Sequence, residues 1–164
     1  MYDETFAEFV RLRYGELLRT AYLLTGSVHA AEDLVQISLL KVMPRWDRIG
    51  DPMSYLRRTM VNQRTSLWRR LRRELLRADV PEEAAPDGTG DAVRRTALLA
   101  ELRRLPPRMR AVLILRYWED LSEMQTAAVL GCSVGTVKSQ VSRGLARLRT
   151  LLDESVEIVD GGSR

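Results

Sequence analysis

The sequence predicts an all-α fold made of two small helical domains joined by a flexible acidic linker. Apolar residues recur at spacings of three, four and seven, and no segment shows the alternation of apolar and polar residues typical of strands. Charge is also segregated, because two basic segments flank an acidic stretch that contains proline and glycine. We place the boundaries of first domain, linker, second domain and tail at residues 1–77, 78–91, 92–152 and 153–164.

The first two helices are defined by apolar periodicity and by breakers. One amphipathic pattern begins at Phe6 and stops at Gly26. A second begins at about His29 and should end or kink at Pro44, since proline lacks the N–H that a helix interior needs.

The third helix is long and basic. Asp51 is a suitable N-cap and Pro52 suits the first helical position, so we expect a helix from there to about Arg77. Residues 52–78 hold eight arginines against the single acid Glu74, a net charge of +7.

An acidic linker leads into the first helices of the second domain. Residues 78–91 contain five acids and no base, a composition that cannot pack a core and favours a tether. A helix from about Asp91 to Leu105 follows, and Pro106-Pro107 break it and open the next helix, which extends to Trp118.

A helix-turn-helix signature occupies the end of the second domain. Ser122 and Gln125 match a capping box, and the short helix that they begin ends at Gly131. Ser133 can cap the final helix, which is basic. A short helix, a tight turn and a longer basic helix are typical of proteins that read the DNA major groove.

The final helix has one apolar face and one small, cationic face. At 100° per residue, five apolar side chains point in a common direction and should pack inward: Val134, Val137, Val141, Leu145 and Leu148. The remaining faces carry the candidate base and phosphate contacts: Thr136, Lys138, Ser139, Gln140, Ser142, Arg143 and Arg147. Gly135 keeps the first turn slim enough to enter a groove, whereas Gly144 falls between the faces and has no explanation in the sequence.

The composition narrows the classes of function. With 164 residues and 45% hydrophobic content the chain can form real cores. One cysteine and one histidine leave no disulfide framework, metal cluster or nucleophile–base pair, so we expect no enzyme and no cofactor. No apolar run approaches a membrane span and no signal region is evident, so we expect a cytoplasmic protein without membrane insertion.

Several of these segments resemble one family. LGCSVGTVKSQVSRGLARLR is similar to the fourth conserved region of bacterial extracytoplasmic-function (ECF) sigma factors. AEDLVQISLLKV resembles their D-x-x-Q segment in the second conserved region, and WDRIGDPMSYLRRTMVNQRTSLWRRLRR resembles the stretch that follows it. The resemblance covers about residues 5–152 and is nearest to the actinobacterial SigE-like type.

The resemblance implies partners for each domain. In this family the second region binds the clamp helices of the RNA polymerase β′ subunit and melts the promoter −10 element, and the fourth region binds the β flap and reads the −35 element. Asp33 and Gln36 match the clamp-binding positions. Promoter DNA and RNA polymerase core are therefore the expected partners, and an anti-sigma factor is a possible one.

The resemblance also implies contacts with the −10 element. The expected residues are Trp46, Asp47, Arg48, Ser54, Arg57, Arg58, Asn62 and Arg64. An aromatic ring and polar groups suit a pocket for an extruded base, although Trp46 is at least as well explained as a core residue. The arginines of the third helix are spread over much of its circumference, so they cannot all touch one duplex.

An alternative function is a stand-alone helix-turn-helix regulator of the response-regulator output type. That class places its helix-turn-helix after a sensing domain that often contains a parallel sheet. The first half of this chain instead shows no strand pattern and carries a basic helix of its own.

Overall fold

The computed structural model describes the backbone of residues 4–75 and 90–161 and the side chains of residues 4–66 and 95–155. Within those ranges the secondary structure is helical, with turns and no strand, as the sequence predicts. The helices are α1 (Glu4–Thr25), α2 (Val28–Val42), α3 (Pro52–Leu75), α4 (Gly90–Arg104), α5 (Pro107–Leu113), α6 (Glu123–Leu130) and α7 (Val134–Gly161). A 3₁₀ turn, Met43–Arg48, follows α2, and a π-helical turn, Ile114–Trp118, follows α5.

Some predictions fall on residues outside these ranges. Most of the expected linker 78–91 lies there, as do the side chains of Arg69, Arg70, Arg72 and Arg73, four of the eight arginines counted in the third helix. The domain boundaries therefore stay predictions. At the other end, α7 continues past residue 152 to Gly161, so residues 153–161 of the expected tail are helical.

Local capping signals produce the helix ends that the sequence predicts. The Asp51 carboxylate accepts from the Ser54 N–H at 3.2 Å at the start of α3. Ser122 and Gln125 form the complete capping box of α6, with bonds of 3.1 Å and 2.8 Å. Gly131 ends α6 in the left-handed conformation at φ +65°, where a Cβ would be strained.

The first half packs α1, α2 and α3 around a shared apolar core. Leu17 and Ala21 of α1, Val35 of α2, and Leu56 and Met60 of α3 are buried within it. The 3₁₀ turn begins one residue before Pro44, so the proline ends the regular helix as the sequence predicts.

The second half packs directly on the first. The core that contains Leu17 and Met60 also takes in Ile114 and Leu115 from the π-helical turn and Val129 from α6. A sequence that is read as two separate domains does not anticipate this contact. The −10 candidate helix α3 therefore lies against α5 and α6 of the second half.

The structure explains Gly144. This residue is buried, and a Cβ on it would lie 3.3 Å from both Cγ and Cδ1 of Leu113. Glycine thus allows α7 to approach α5 closely. The inward face predicted for α7 is confirmed. Val134, Val137 and Val141 pack in one apolar cluster with Val112. Leu145 and Leu148 pack in a second cluster with Leu113.

None of the helices in the described ranges combines the length and apolar character needed to cross a membrane.

Candidate nucleic-acid and polymerase surfaces

The helix-turn-helix is built by α6, a three-residue turn and α7. The Ser133 hydroxyl accepts from the Thr136 N–H at 3.1 Å, so this residue caps α7 as predicted. Thr126 and Ala127 of α6 are buried, as is Val137 of α7. Packing on these side chains leaves the opposite side of α7 to face outward.

The outward side of α7 presents most of the predicted −35 contacts together. Ser142, Arg143 and Arg147 are exposed, and Ser139 is half-buried beside them. Lys138 is exposed as well, with its ammonium 3.7 Å from the Glu123 carboxylate of α6. A cationic strip with hydroxyls at its start can contact phosphates and base edges.

Two predicted −35 residues, Thr136 and Gln140, each have a polar atom that is bonded or buried within the helix-turn-helix. The Thr136 hydroxyl lies 2.9 Å from the Ser133 hydroxyl. The Gln140 Oε1 is buried and has no hydrogen-bond partner among the described residues. Thr136 therefore helps to cap α7, and Gln140 has a polar atom turned inward rather than toward a groove.

Trp46 packs against the aromatic residues of α1. Its ring centroid lies 5.1 Å from that of Phe6 and 4.9 Å from that of Phe9, and its indole N–H donates to the Thr5 hydroxyl at 2.8 Å. These contacts place Trp46 at the edge of the first core. Its stacking on an extruded base stays a prediction.

The predicted −10 residues of α3 divide between two sides of the helix. Arg58 and Asn62, four residues apart, are both exposed. Arg57 and Arg64, seven residues apart, lie on a side that is partly buried. The structure therefore brings Arg58 together with Asn62 and separates both from the other pair.

A cleft lies beside the exposed pair. It has a volume of about 320 Å³ and includes Arg48, Asp51, Ser54 and Arg58 from the first half, while Val129 of α6 forms part of its wall. Asp47, by contrast, is exposed and does not line the cleft. The cleft gathers three of the predicted −10 residues, and the second half closes one side of it.

The partly buried pair of α3 arginines, Arg57 and Arg64, is already bonded to protein groups. The Arg57 Nε and Nη2 each lie 2.6 Å from Oε2 of Glu119. The Arg64 Nε donates to the Leu24 carbonyl at 3.1 Å, and burial lowers the pKa of the Arg64 guanidinium. Both guanidinium groups therefore already have protein partners in this arrangement.

The predicted clamp-binding residues lie on an exposed side of α2. The Asp33 side chain is 60% exposed, and Gln36 is exposed one turn away. The structure adds two apolar side chains that the sequence interpretation missed, Ile37 at 42% and Leu40 at 63% exposure. The spacing of 33, 36, 37 and 40 is that of one helical face, and this signal was present in the sequence.

Two further residues were missed because each has a partner that is distant in the chain. Arg110 of α5 is only 5% exposed and donates to the carbonyls of Leu24, Leu102 and Arg103. Burial lowers the pKa of Arg110 to about 10, with Arg64 and Arg103 adding to the shift, so the guanidinium is still charged at neutral pH. Glu119 is the buried partner of Arg57. No local pattern distinguishes these two side chains from solvated ones.

Comparisons with known proteins identify the family of both halves. Residues 9–74 match the family model for Sigma-70 region 2, and residues 95–148 match the model for Sigma-70, region 4. The RNA polymerase sigma-E factor of Streptomyces avermitilis is 43% identical over 90% of this chain and 85% of its own length. The ECF RNA polymerase sigma factor SigL of Mycobacterium tuberculosis is 32% identical over 90% of this chain and 91% of its own.

A solved structure shares the arrangement of both halves. The sigma factor RpoE of Bartonella quintana, crystallised with the anti-sigma factor NepR, is similar with a TM-score of 0.77 and 27% identity, over 92% of this chain and 98% of that one. The region 2 match accounts for the first half, so a stand-alone regulator is not favoured. The chain belongs to the ECF group of the sigma-70 family of RNA polymerase sigma factors.

Proposed function

We propose that this chain binds RNA polymerase core and directs it to promoters by reading the −35 element with α7 and the −10 element with α3 and the turn before it. The observation that carries the proposal is the outward side of α7, where Arg143 and Arg147 are exposed on a helix anchored by its opposite face. The proposed boundaries are those predicted above, with region 2 in residues 1–77 and region 4 in residues 92–152.

The proposed −35 contacts follow from the geometry of α7. The N-terminal turn is slim at Gly135, where a Cβ would meet only the Ser133 hydroxyl, at 3.8 Å. Ser139, Ser142 and Arg143 can then approach base edges and phosphates as the helix enters the major groove. Arg147, one turn further on, is placed to contact the phosphate backbone.

The proposed −10 contacts divide into those that are exposed and those that are covered. Arg48, Ser54 and Arg58 line the cleft, and Asn62 is exposed on the same helix as Arg58. Polar groups around a cleft of this volume suit an extruded base and the phosphates that flank it. Arg57 and Arg64 can contribute only after their present bonds are broken.

The proposed contact with the polymerase uses the exposed side of α2. Asp33 and Gln36 offer a carboxylate and an amide, and Ile37 and Leu40 add apolar area that a partner helix can bury. Exposed leucine and isoleucine on one helical face are typical of a protein-binding surface. We assign this face to the β′ clamp helices and region 4 to the β flap.

Further expectations come with the sigma assignment. The chain works in the cytoplasm, where the polymerase is, and acts as a specificity subunit without catalysing a reaction of its own. An anti-sigma factor is a candidate partner, because the relative from Bartonella quintana was crystallised with one.

Run-off transcription tests this proposal. Purified core polymerase with the full chain should give promoter-dependent transcripts from genomic DNA of the host, and core alone should not. Asp33→Ala and Gln36→Ala should weaken binding to core in a sedimentation or pull-down assay. Glu32→Ala, which removes the neighbouring acid from an adjoining side of α2, is the matched control and should bind core normally. Duplex binding without any polymerase-dependent transcript would instead indicate a stand-alone regulator.

A further inference from the structure

A buried acid from the second half enters the first half. Glu119 follows the π-helical turn, and its side chain is 4% exposed. Its Oε2 accepts from Nε and Nη2 of Arg57, at 2.6 Å each, and its Oε1 accepts from the hydroxyl of Thr20 on α1. Both carboxylate oxygens are therefore bonded to the other half of the molecule.

The stability of the Arg57–Glu119 contact depends on both partners. Charge-assisted hydrogen bonds are short and strong, and a buried ion pair that loses one member leaves an uncompensated charge. Glu16 of α1 also lies near Arg57, with 3.6 Å between its Oε1 and the Arg57 Nη2, but it is more exposed than Glu119. Glu119 is thus the principal partner of Arg57.

A second set of contacts holds the halves together beside this pair. Arg110 of α5 donates to the Leu24 carbonyl at 2.9 Å, and Arg103 of α4 donates to the Gly26 carbonyl. Both carbonyls lie at the C-terminal end of α1, where the helix dipole favours cations. These bonds use backbone acceptors, whereas the Arg57–Glu119 pair uses a residue that the proposed function needs for DNA.

Promoter contact and the present arrangement therefore compete for one guanidinium. The Arg57 side chain is 15% exposed while Glu119 holds it. The same packing places Ala128 and Val129 of α6 in the wall of the cleft that contains Ser54 and Arg58. A DNA strand that pairs with Arg57 has to displace Glu119.

We propose that Glu119 is an intramolecular latch, a phosphate substitute that holds Arg57 and keeps the free chain closed until it is opened on polymerase. The proposal has two parts. The first, that Glu119 masks Arg57 from DNA, rests on the proposed −10 role of Arg57. The second, that Glu119 keeps the two halves closed, does not. If the open form of the free chain is a minor state of about 10%, releasing the latch raises its apparent affinity for a −10 strand by about tenfold.

The closure is tested by the distance between the halves in the free, full-length chain. Glu8 and Arg149 are exposed and lie on α1 and α7, so cysteines at these positions in a Cys132→Ser background accept a pair of fluorescent dyes. Glu119→Gln should lower the energy-transfer efficiency, because the neutral amide cannot replace the charged bonds to Arg57. Glu123→Gln is the matched control, since Glu123 pairs with Lys138 inside the second half, and it should leave the efficiency unchanged.

A charge swap keeps the test decisive if Glu119→Gln is poorly folded. Arg57→Glu and Glu119→Arg should each open the chain, and the double variant should close it again, with helicity by circular dichroism confirming that each protein is folded. Recovery of energy transfer in the double variant is expected only for a direct pair. Unchanged efficiency in Glu119→Gln and in both single charge reversals would overturn the latch.

The masking is tested separately by DNA binding without polymerase. The probe is a labelled single-stranded oligonucleotide that carries the −10 region of a promoter used in the run-off assay. Glu119→Gln should bind it about tenfold more tightly than the unaltered chain, and Glu123→Gln should not. A chain that opens without any gain in DNA affinity would confirm the latch and overturn the masking, together with the −10 role proposed for Arg57.

Discussion

Helices α3 and α7 are both basic and amphipathic, yet the structure makes different use of their arginines. On α7, Arg143 and Arg147 are exposed. On α3, Arg57 is bonded to Glu119 and Arg64 to the Leu24 carbonyl, whereas Arg58 and Asn62 are exposed, among the side chains described up to residue 66. The sequences of the two helices do not reveal this difference.

The difference arises from what packs on each helix. The apolar face of α7 is covered by its own half, so its cationic side stays open. Helix α3 is covered by α1 and α2 on one side and meets α5 and α6 of the second half on another. Charge on a helix therefore indicates what it can bind, and the neighbouring elements decide which charges are available.

The largest expected effect comes from removing the buried arginine at the junction. Arg110→Ala leaves three carbonyl acceptors without their donor, so we expect the free energy of unfolding to fall by about 3 kcal/mol or more. Denaturant unfolding measures the change. Arg108→Ala removes an exposed arginine from the same helix and should change stability by less than about 0.5 kcal/mol. Equal losses for the two variants would mean that burial of Arg110 adds nothing to the stability of the junction.

The two glycines of α7 should respond in opposite directions. Gly144→Val places side-chain atoms against Leu113, and we expect it to destabilise the protein by about 1–3 kcal/mol. Gly135→Ala would bring its Cβ only into ordinary contact with the Ser133 hydroxyl and should stabilise the protein by up to about 1 kcal/mol, because alanine favours the helix. Thermal unfolding compares them. A tolerated valine at 144 would mean that α7 does not approach α5 as closely as described.

The open side of α7 is tested by its central arginine. Arg143→Ala should weaken binding to the −35 duplex by about 1–3 kcal/mol and relax the preference at one base pair, if the guanidinium contacts a base. Fluorescence anisotropy with a set of duplexes, each altered at one position, measures both effects. Arg149→Ala removes an exposed arginine further along α7 and is the control. Equal weakening on every duplex would assign Arg143 to a phosphate.

The smallest expected effect concerns the cap that starts α3. Asp51→Ala removes the acceptor for the Ser54 N–H and should reduce stability by about 0.5–2 kcal/mol. The hydrogen bonds from Ser54 lower the pKa of Asp51 below its ordinary 3.8. A lowered carboxyl pKa means that the unfolded chain takes up the proton first, so this contribution is present above about pH 3.8 and is lost as the pH falls through the folded-state pKa.

Asp51→Asn sharpens this measurement. The amide oxygen can still cap α3 but does not titrate, so the variant should keep its stability at neutral pH and lose less of it below pH 3.8 than the unaltered chain. Unfolding curves at several acidic pH values give the comparison. Identical pH dependence in the two proteins would show that Asp51 contributes no proton linkage.

Much of the fold follows from signals that act over a few residues. Asp51, Ser122 and Ser133 each cap a helix through an N–H three residues ahead, and α2 ends at Val42, two residues before Pro44. The inward face of α7 is equally readable, because its period depends only on helix geometry. Such signals depend on side chains and backbone groups a few residues apart, so a sequence is enough to predict them.

The candidate site was predicted less completely, for a physical reason. The outward positions of α7 and the exposed pair Asp33 and Gln36 follow from helical periodicity. Trp46 has the same sequence context whether it meets a base or packs on Phe6 and Phe9, and only the structure shows the second contact. The spacing of Leu40 places it on the same helical face as Asp33 and Gln36. Whether that face is exposed depends on which sides of α2 the neighbouring helices cover.

By itself, the sequence determined the helices, their caps, the helix-turn-helix and the sigma-factor resemblance, since these depend on residues near one another in the chain. The tertiary structure alone decided which arginines are free. The pairing of Arg57 with Glu119 joins residues 62 positions apart, and the contact of Gly144 with Leu113 joins two helices. Pairings of this kind depend on how complete helices pack, and no local pattern encodes them.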